Sequence, residues 1–327
     1  PFLRHTSRQS ESDLPMSTEP AAESVARRIP VPLRPLLAIR APFLLASLLP
    51  VALGLAGARH AGVVLDGGLA LLTLLAAALL HAGINVINDV VDARNGTDAI
   101  NVDRVPPFTG GSRMVQDGVY TAPELARLAA ILFGLAVAIG LWLVVQTGPV
   151  LLLLGAIGVL LGWGYSAEPL ALNRRGLGEF AVLAGFALLP AAAWSVQTGT
   201  LEPMALALGL PGGLLIAALL YINQFPDVAA DAAVGKRHWV VRLGTARARW
   251  GYLLLVAAAW ASAATVVDAL ELGLLGVLPL LPAVLSVIAV TVLVRHHDRP
   301  SALRPAIVCT LLAALSQIAL LTVVLWF

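Results

Sequence analysis

The sequence predicts an all-α integral membrane protein with about nine transmembrane helices around a central cavity. Of its 327 residues, 59% are hydrophobic and only 12% are charged, whereas a soluble domain carries about 25% charged residues. The apolar residues form long runs, such as 67–80 and 307–327, and do not alternate with polar ones. Because backbone polar groups in hydrocarbon must be satisfied internally, such runs favour helices over a β-barrel.

Clusters of Pro, Gly and charged residues divide the apolar sequence into candidate spans. Most of these spans approach or reach the roughly 20 residues that a helix needs to cross a bilayer. The predicted helices cover residues 36–58, 67–92, 123–146, 149–165, 177–198, 204–225, 249–267, 272–294 and 305–327.

The N-terminal segment differs in composition from the rest. Residues 1–33 are rich in Ser, Glu, Pro and Arg, and they predict a disordered polar and basic tail ahead of a transmembrane domain at 34–327. No secretory signal peptide is evident, because the first apolar segment follows an Arg- and Pro-rich stretch. We therefore expect that segment to remain as the first span.

The distribution of basic residues predicts the orientation in the membrane. All but one of the 21 Lys and Arg residues fall on the side of the N-terminus, and Arg59 is the exception. The positive-inside rule predicts a cytoplasmic N-terminus, and an odd number of helices predicts an external C-terminus for this multi-pass protein of the cell (inner) membrane. Two long cytoplasmic loops, at 93–122 and 226–248, concentrate acidic, basic and Gly residues, so the central cavity should open toward them.

An acidic motif marks the end of the second predicted helix. Asn85, Asp89 and Asp92 are spaced i, i+4 and i+7 and share one helical face, with Asn88 adjacent and Asp98 following in the loop. Carboxylates near membrane depth repel one another unless a cation lies between them. A single motif of this kind is equally typical of solvated charges at a helix end.

The sixth predicted helix ends in a motif of the same design. Asn223, Asp227 and Asp231 are spaced i, i+4 and i+8. Duplication at corresponding positions on the cytoplasmic side argues against solvated charges. Carboxylate and amide oxygens are ligands suited to Mg²⁺, which is often shared with substrate phosphates. Two such faces, brought together, predict a site that holds a diphosphate between Mg²⁺ ions.

These motifs resemble those of the UbiA superfamily of intramembrane aromatic prenyltransferases, and the resemblance covers about residues 34–327. The segments Pro-Phe-Thr-Gly-Gly-Ser-Arg at 107–113 and Gly-Lys-Arg-His-Trp-Val-Val-Arg-Leu-Gly at 235–244 are similar to the menaquinone-type branch, which prenylates dihydroxynaphthoate. A third segment, 165–179, is similar to the loop between the fourth and fifth helices of that family. His238 stands where the branch usually has Thr.

The resemblance implies Mg²⁺-dependent transfer of a prenyl group from a polyprenyl diphosphate to an aromatic acceptor within membrane lipid, with no nucleic acid involved. The metal ligands that it implies are Asp89, Asp92, Asp98, Asp227 and Asp231. The catalytic residues that the resemblance implies are Asp89, Asp92, Asp227, Asp231 and Lys236. Substrate binding is assigned to Asn85, Asn88, Arg94, Arg113, Tyr165, Asn223 and Arg237.

The roles of two aromatic side chains stay open. Tyr165 either lines the acceptor cavity or anchors its helix at the membrane interface. His81 lies on the same helical face as Asn85, but a satisfied core histidine is the more common role for such a residue.

Two other functions stay open as well. The doubled motif is also consistent with an ion-coupled transporter, although an even number of spans between the copies gives them parallel orientation. A terpene cyclase on the same scaffold would ionise the diphosphate without an aromatic acceptor. Product analysis with labelled prenyl diphosphate and a panel of acceptors distinguishes these functions.

Overall fold

The structure, a computed structural model, describes residues 29–327. Residues 1–28, most of the predicted tail, lie outside the described part of the chain, and the rest of the predicted tail contains a 3₁₀ helix at Val31–Leu33. Every regular element between residues 29 and 327 is helical, and nine helical segments there are long and apolar enough to cross a membrane. The predicted all-α membrane fold is confirmed.

The long helices of this described region are α1 (Leu45–His60), α2 (Gly67–Asn95), α3 (Ala122–Thr147), α4 (Pro149–Ser166), α5 (Gly178–Thr198), α6 (Pro203–Ala233), α7 (Thr245–Ala269), α8 (Ala283–His296) and α9 (Arg304–Trp326). Shorter helices flank or connect them at Val31–Leu33, Arg34–Ala38, Ala41–Leu44, Thr97–Ile100, Trp239–Leu243, Gly273–Leu280 and Pro300–Ala302.

Helix α6 lies at the centre of the bundle, because 78% of its apolar stretch is buried. It packs against α1, α5, α7 and α9. The approach of α5 requires Gly209, since a Cβ at this position would collide with the carbonyl oxygen of Ala187. The central position of α6 carries the second acidic motif into the interior of the protein.

Helix α2 carries the first acidic motif and packs against α1, α3, α4 and α5. Its N-terminus is capped by Asp66, whose side chain accepts a hydrogen bond of 2.9 Å from the backbone N–H of Leu69. Gly96, with a φ of 83°, ends the helix in the left-handed conformation that helix C-termini favour. Both ends are therefore fixed by local sequence, and the motif lies within the last three turns.

The predicted start of the first helix, at residue 36, was wrong. Arg40 has a left-handed backbone conformation, with φ and ψ both 52°, which interrupts the helical path. A 3₁₀ helix follows at Ala41–Leu44, and the α-helix begins only at Leu45. The interruption places Arg40 at the entrance of the bundle, between two short helices.

Two further boundaries differ from the prediction because proline acts differently in each helix. Helix α6 does not end before Pro226 but continues to Ala233, since proline removes only one backbone donor and a packed membrane helix tolerates that loss. The eighth span, in contrast, begins as a 3₁₀ helix at Gly273–Leu280 and becomes α-helical only after Pro282.

Candidate active site

Both acidic motifs face one cavity, which has a volume of about 330 Å³. Asp92 and Asp98 border this cavity from the α2 side, and Asp227 and Asp231 border it from α6. The loop after α2 also reaches α6, because the Nδ2 of Asn101 donates a hydrogen bond of 2.7 Å to Oδ1 of Asp227. The structure therefore brings together the two motifs that lie far apart in sequence.

Lys236 joins the two motifs directly. Its Nζ lies 3.0 Å from Oδ1 of Asp92 and 2.9 Å from Oδ1 of Asp231. Burial alone would lower the pKa of Lys236, but the charges of Asp92 and Asp231 outweigh this effect and raise the pKa above its usual range. The ammonium group is thus charged and interacts with one carboxylate of each motif. The second oxygen of Asp231 lies 3.0 Å from Nε2 of His238.

Asp89 interacts with a different cation, the guanidinium of Arg40. The same carboxylate accepts hydrogen bonds from the backbone N–H and the hydroxyl of Ser112. Asp89 is buried, and Arg40 borders the cavity. The first motif is therefore neutralised by two basic residues, one from the start of the bundle and one from the loop after α6.

The loop at Gly111 closes over the first motif. A Cβ on Gly111, whose φ is 70°, would lie 2.5 Å from Oδ2 of Asp98 and 3.2 Å from Oδ1 of Asp89, so only glycine permits this approach. Oδ2 of Asp98 is buried and has no hydrogen-bond partner in the described chain. Burial, followed by the charges of Asp92 and Asp89, raises the pKa of the Asp98 carboxyl to about 7.

The residues around the cavity fit Mg²⁺ by their chemistry. They supply carboxylate and amide oxygens, the donors that this ion prefers. Two of these oxygens, Oδ2 of Asp98 and Oδ1 of Asn223, are buried without a hydrogen-bond partner within residues 29–327. No group of three or more acidic, His or Cys side chains in this range is arranged as a metal site. Arg40 and Lys236 form ion pairs with Asp89, Asp92 and Asp231.

Four other predicted substrate-binding residues border the same cavity: Asn85, Asn88, Tyr165 and Asn223. Asn85 donates a hydrogen bond of 3.0 Å to the carbonyl of Ile39, and Asn88 donates one of the same length to Ser166. These two amides therefore attach the short helix before Arg40 and the end of α4 to the first motif. His81 borders the cavity and also contacts Ser47 through Nδ1 at 2.7 Å, so it has a structural partner.

The three predicted arginines, Arg94, Arg113 and Arg237, do not border the cavity in this structure. Arg94 and Arg237 are exposed to the outside of the protein. Arg113 donates to the backbone carbonyl of Asp98 at 2.7 Å and lies 3.9 Å from Asp117, so it supports the loop. We leave all three out of the proposed diphosphate site and include Arg40, which borders the cavity and forms an ion pair with Asp89.

Two other cavity residues, Asn101 and Gln224, were missed by the sequence analysis. Asn101 lies in a loop without any recognisable spacing, so no sequence signal pointed to it. Gln224 forms a buried pair with Glu179, with a distance of 2.8 Å between Nε2 and Oε1. The signal for Gln224 was available, because polar residues inside a membrane span are by default candidates for function.

A second cavity, about 550 Å³ in volume and almost entirely apolar in lining, adjoins the first. It lies among helices α1 to α5 and extends along α2 away from the acidic motif, toward Thr73. Residues that border both cavities are Ala77, Leu80, Gly158, Gly185 and Leu189. The polar cavity therefore adjoins an apolar one, whose lining includes the exposed side chains of Leu141, Leu152 and Leu160.

Comparisons with known proteins match this architecture. A sequence model of the UbiA prenyltransferase family matches residues 47–326. The 1,4-dihydroxy-2-naphthoate octaprenyltransferase of Escherichia coli (strain K12) is 35% identical over 191 residues, 56% of this chain but only 60% of that relative. The protein of the same name from Haemophilus influenzae is 28% identical over 281 residues, 80% of this chain and 83% of the relative.

A solved structure shows the same fold. The UbiA homolog from Archaeoglobus fulgidus bound to DMAPP and Mg²⁺ aligns with a TM-score of 0.62 at 18% identity, over 89% of this chain and 99% of that chain. At this level of identity the likeness extends to the arrangement of helices.

Proposed function

Because this chain belongs to the UbiA prenyltransferase family, we propose that it transfers a prenyl group from a polyprenyl diphosphate to an aromatic acceptor of the dihydroxynaphthoate class. One observation carries the proposal: two acidic motifs and Lys236 surround a cavity that shares a wall with a larger, apolar cavity. A charged head group with a long apolar tail is the ligand that such a pair of cavities fits. The family assignment favours this function over the transporter.

Mg²⁺ is the proposed cofactor, held by Asp92, Asp98, Asp227 and Asp231, with Asp89 supporting the first motif. When bound, the ion neutralises the diphosphate and makes it a better leaving group. Lys236 then has its Nζ within reach of a diphosphate that lies between the motifs, since it already bridges Asp92 and Asp231. We propose that it donates charge-assisted hydrogen bonds to the phosphate oxygens.

The reaction follows from this placement. The allylic C–O bond of the donor breaks, and its electron pair leaves with the diphosphate, whose growing negative charge is stabilised by Lys236 and Arg40. A carbon of the acceptor ring attacks the allylic cation and forms the new C–C bond. The ring regains aromaticity when the attacked carbon loses its substituent, as a proton or as CO₂. The surrounding apolar side chains exclude the water that would quench the cation.

The proposed path of the prenyl tail runs through the junction of the two cavities. A Cβ built on Gly185 meets nothing within 4 Å, and one on Gly158 meets only Leu80, at 4.0 Å. The junction is therefore open because both positions lack a side chain. A larger residue at either position would project into the space that a long tail must cross.

We expect Gly185→Leu to reduce turnover of a 20-carbon donor by roughly tenfold or more. Turnover of dimethylallyl diphosphate, which is too short to reach the junction, should change little. Steady-state kinetics with the two donors measures the difference. Gly134→Leu is the matched control, because Gly134 is exposed on α3 with nothing within 4 Å of its Cβ position. Equal losses for both donors would contradict the proposed tail path.

The proposed activity is tested with purified protein in lipid nanodiscs, labelled geranylgeranyl diphosphate, Mg²⁺ and 1,4-dihydroxy-2-naphthoate. We expect a prenylated aromatic product and released diphosphate, both lost when EDTA removes the metal. A cyclised hydrocarbon formed without acceptor would indicate a terpene cyclase. Uptake of an intact solute into proteoliposomes, without any product, would indicate a transporter.

The proposed orientation places the N-terminus and the acidic motifs on the cytoplasmic side of the cell (inner) membrane and the C-terminus outside. The support is the bias of Lys and Arg toward one side of nine spans. Labelling of a cysteine introduced at the exposed Asp103 by an impermeant reagent should occur in inverted vesicles and fail in intact cells. Labelling in intact cells but not in inverted vesicles would show that the protein has the opposite orientation.

A further inference from the structure

A cluster of buried oxygen atoms lies on the side of the polar cavity formed by α5, α6 and the loop after α4. Each of its three oxygens lacks a hydrogen-bond partner within the described chain: Oδ1 of Asn173, Oε2 of Glu179 and Oε1 of Gln224. Asn173 and Gln224 border the cavity. Glu179 and Gln224 are each only 8% exposed.

The orientation of the Gln224 amide is fixed by Glu179. The Nε2 of Gln224 donates a hydrogen bond of 2.8 Å to Oε1 of Glu179. Turning the amide over would place its oxygen against the carboxylate, so the arrangement with the nitrogen facing Glu179 is the favourable one. Oε1 of Gln224 is consequently left as an acceptor without a donor.

The neighbouring residues give this cluster a compact shape. The backbone N–H of Asn173 donates to the carbonyl of Tyr165 at 2.9 Å. A Cβ on Gly178 would lie 3.3 Å from Cα of Asn173 and 3.5 Å from the ring of Tyr165. Gly178 directly precedes Glu179, so the polar cluster and the Tyr165 ring lie side by side.

The walls next to the cluster are apolar. Val182 and Phe186, one and two turns after Glu179 on α5, border the same cavity, and Leu220 borders it one turn before Gln224 on α6. The cluster therefore combines hydrogen-bond acceptors with apolar side chains that border the same cavity. Acceptors that are buried without donors are unfavourable until a ligand or water supplies the donors.

We infer that this cluster is the subsite for the ring hydroxyls of the aromatic acceptor. The inference rests on the proposed function and adds to it the residues that recognise the second substrate. A diphosphate cannot satisfy the cluster, because its oxygens are themselves acceptors, and an isoprenoid tail has no donors. A phenolic ring supplies both the O–H donors and an apolar body for the surrounding walls. Gln224 contacts the hydroxyl, and Glu179 is a positioning residue that fixes the Gln224 amide.

The experiment measures equilibrium binding of two probes to purified protein that is loaded with Mg²⁺ and an unreactive prenyl thiolodiphosphate. The probes are 1,4-dihydroxy-2-naphthoate and 2-naphthoate, which has the same ring system without the hydroxyls. We expect the wild type to bind the hydroxylated probe roughly tenfold more tightly or better. Glu179→Leu and Gln224→Met should each bring this ratio close to one, with the affinity for the thiolodiphosphate unchanged.

Gln317→Met is the matched control, because Gln317 is another buried glutamine whose Oε1 has no partner among the described residues, and it lies on α9 outside the cavity. It should keep the wild-type ratio. A loss of general structure would lower binding of both probes and of the donor analogue together, whereas loss of the subsite changes only the ratio between the probes.

The inference is overturned if the wild type binds both probes equally, which would mean that the oxygens are satisfied by water, or if both variants keep the ratio. Prenyl transfer measured on the same wild-type preparation separates this result from the proposed function. If the wild type transfers the prenyl group but the variants keep the wild-type ratio of probe affinities, the subsite is rejected and the proposed function is not. A ratio that depends on Glu179 and Gln224, without any transfer, supports the subsite and rejects the proposed reaction.

Discussion

Asp227→Asn is expected to lower prenyl transfer by at least roughly 100-fold, while the protein still folds and inserts into the membrane. Asp227 borders the cavity, and its Oδ1 already accepts a hydrogen bond from Asn101. Asparagine keeps the size of the side chain and an oxygen for that hydrogen bond. It removes the charge that a divalent cation requires, so the loss should appear in turnover and in the Mg²⁺ concentration for half-maximal rate.

The control for this substitution is Asp103→Asn, which removes an aspartate from the loop after α2. Asp103 is exposed and does not border the cavity, so its loss should leave turnover within about twofold of the wild type. Size-exclusion profiles and thermal unfolding show whether each variant is folded. A folded Asp227→Asn protein with a normal rate and normal Mg²⁺ dependence would remove the second motif from the proposed site.

Lys236→Met is expected to destabilise the protein in the absence of divalent cations and to abolish transfer. The ammonium group lies 3.0 Å from Asp92 and 2.9 Å from Asp231, and all three side chains are buried. Removing one partner from a buried ion pair leaves uncompensated charge and costs about 3–5 kcal/mol. Mg²⁺ should restore much of the lost stability, because a cation can then lie between the two carboxylates.

Thermal unfolding with EDTA and with Mg²⁺ measures this effect without depending on activity. Arg237→Met is the matched control, since it removes the neighbouring but exposed cation and should change neither stability nor transfer by much. Lys236→Arg should keep most of the stability. If Lys236→Met were as stable as the wild type in EDTA, the bridge between the motifs would not be a real feature of the protein.

Hydropathy was sufficient to predict nearly all of the described fold, because each span in lipid must be a long apolar helix. Hydropathy does not detect backbone conformation, so it missed the left-handed Arg40 and the 3₁₀ start of the eighth span. Pro226 was over-interpreted as a helix end. In a packed bundle the missing donor at a single proline is a smaller cost than exposing the end of α6 would be.

The candidate site was predictable where the sequence repeats a pattern. Asp92, Asp227 and Asp231 follow helical spacing, and all three border the cavity. Which basic side chains turn inward could not be read from spacing, because Lys236 and Arg237 are adjacent yet one is buried and the other exposed. The contribution of Asn101 depends on the path of a loop, which the sequence does not encode as a period.

The pairing of Glu179 with Gln224 was only partly predictable from the sequence. Each is a polar residue in an apolar membrane helix, which is a recognisable signal of function. Only the folded structure shows that the two side chains pair with each other. Sequence alone therefore identifies candidates singly, whereas tertiary packing determines which of them form one cluster.

The central claim is that both acidic motifs bind one diphosphate through Mg²⁺. Structure determination of the protein with Mg²⁺ and an unreactive prenyl thiolodiphosphate tests it most directly. We expect the diphosphate to lie between Asp92 and Asp227, with metal density among the carboxylates and Nζ of Lys236 in contact with a phosphate oxygen. A diphosphate bound to one motif alone, with the other motif remote from the ligand and from any metal, would contradict the claim.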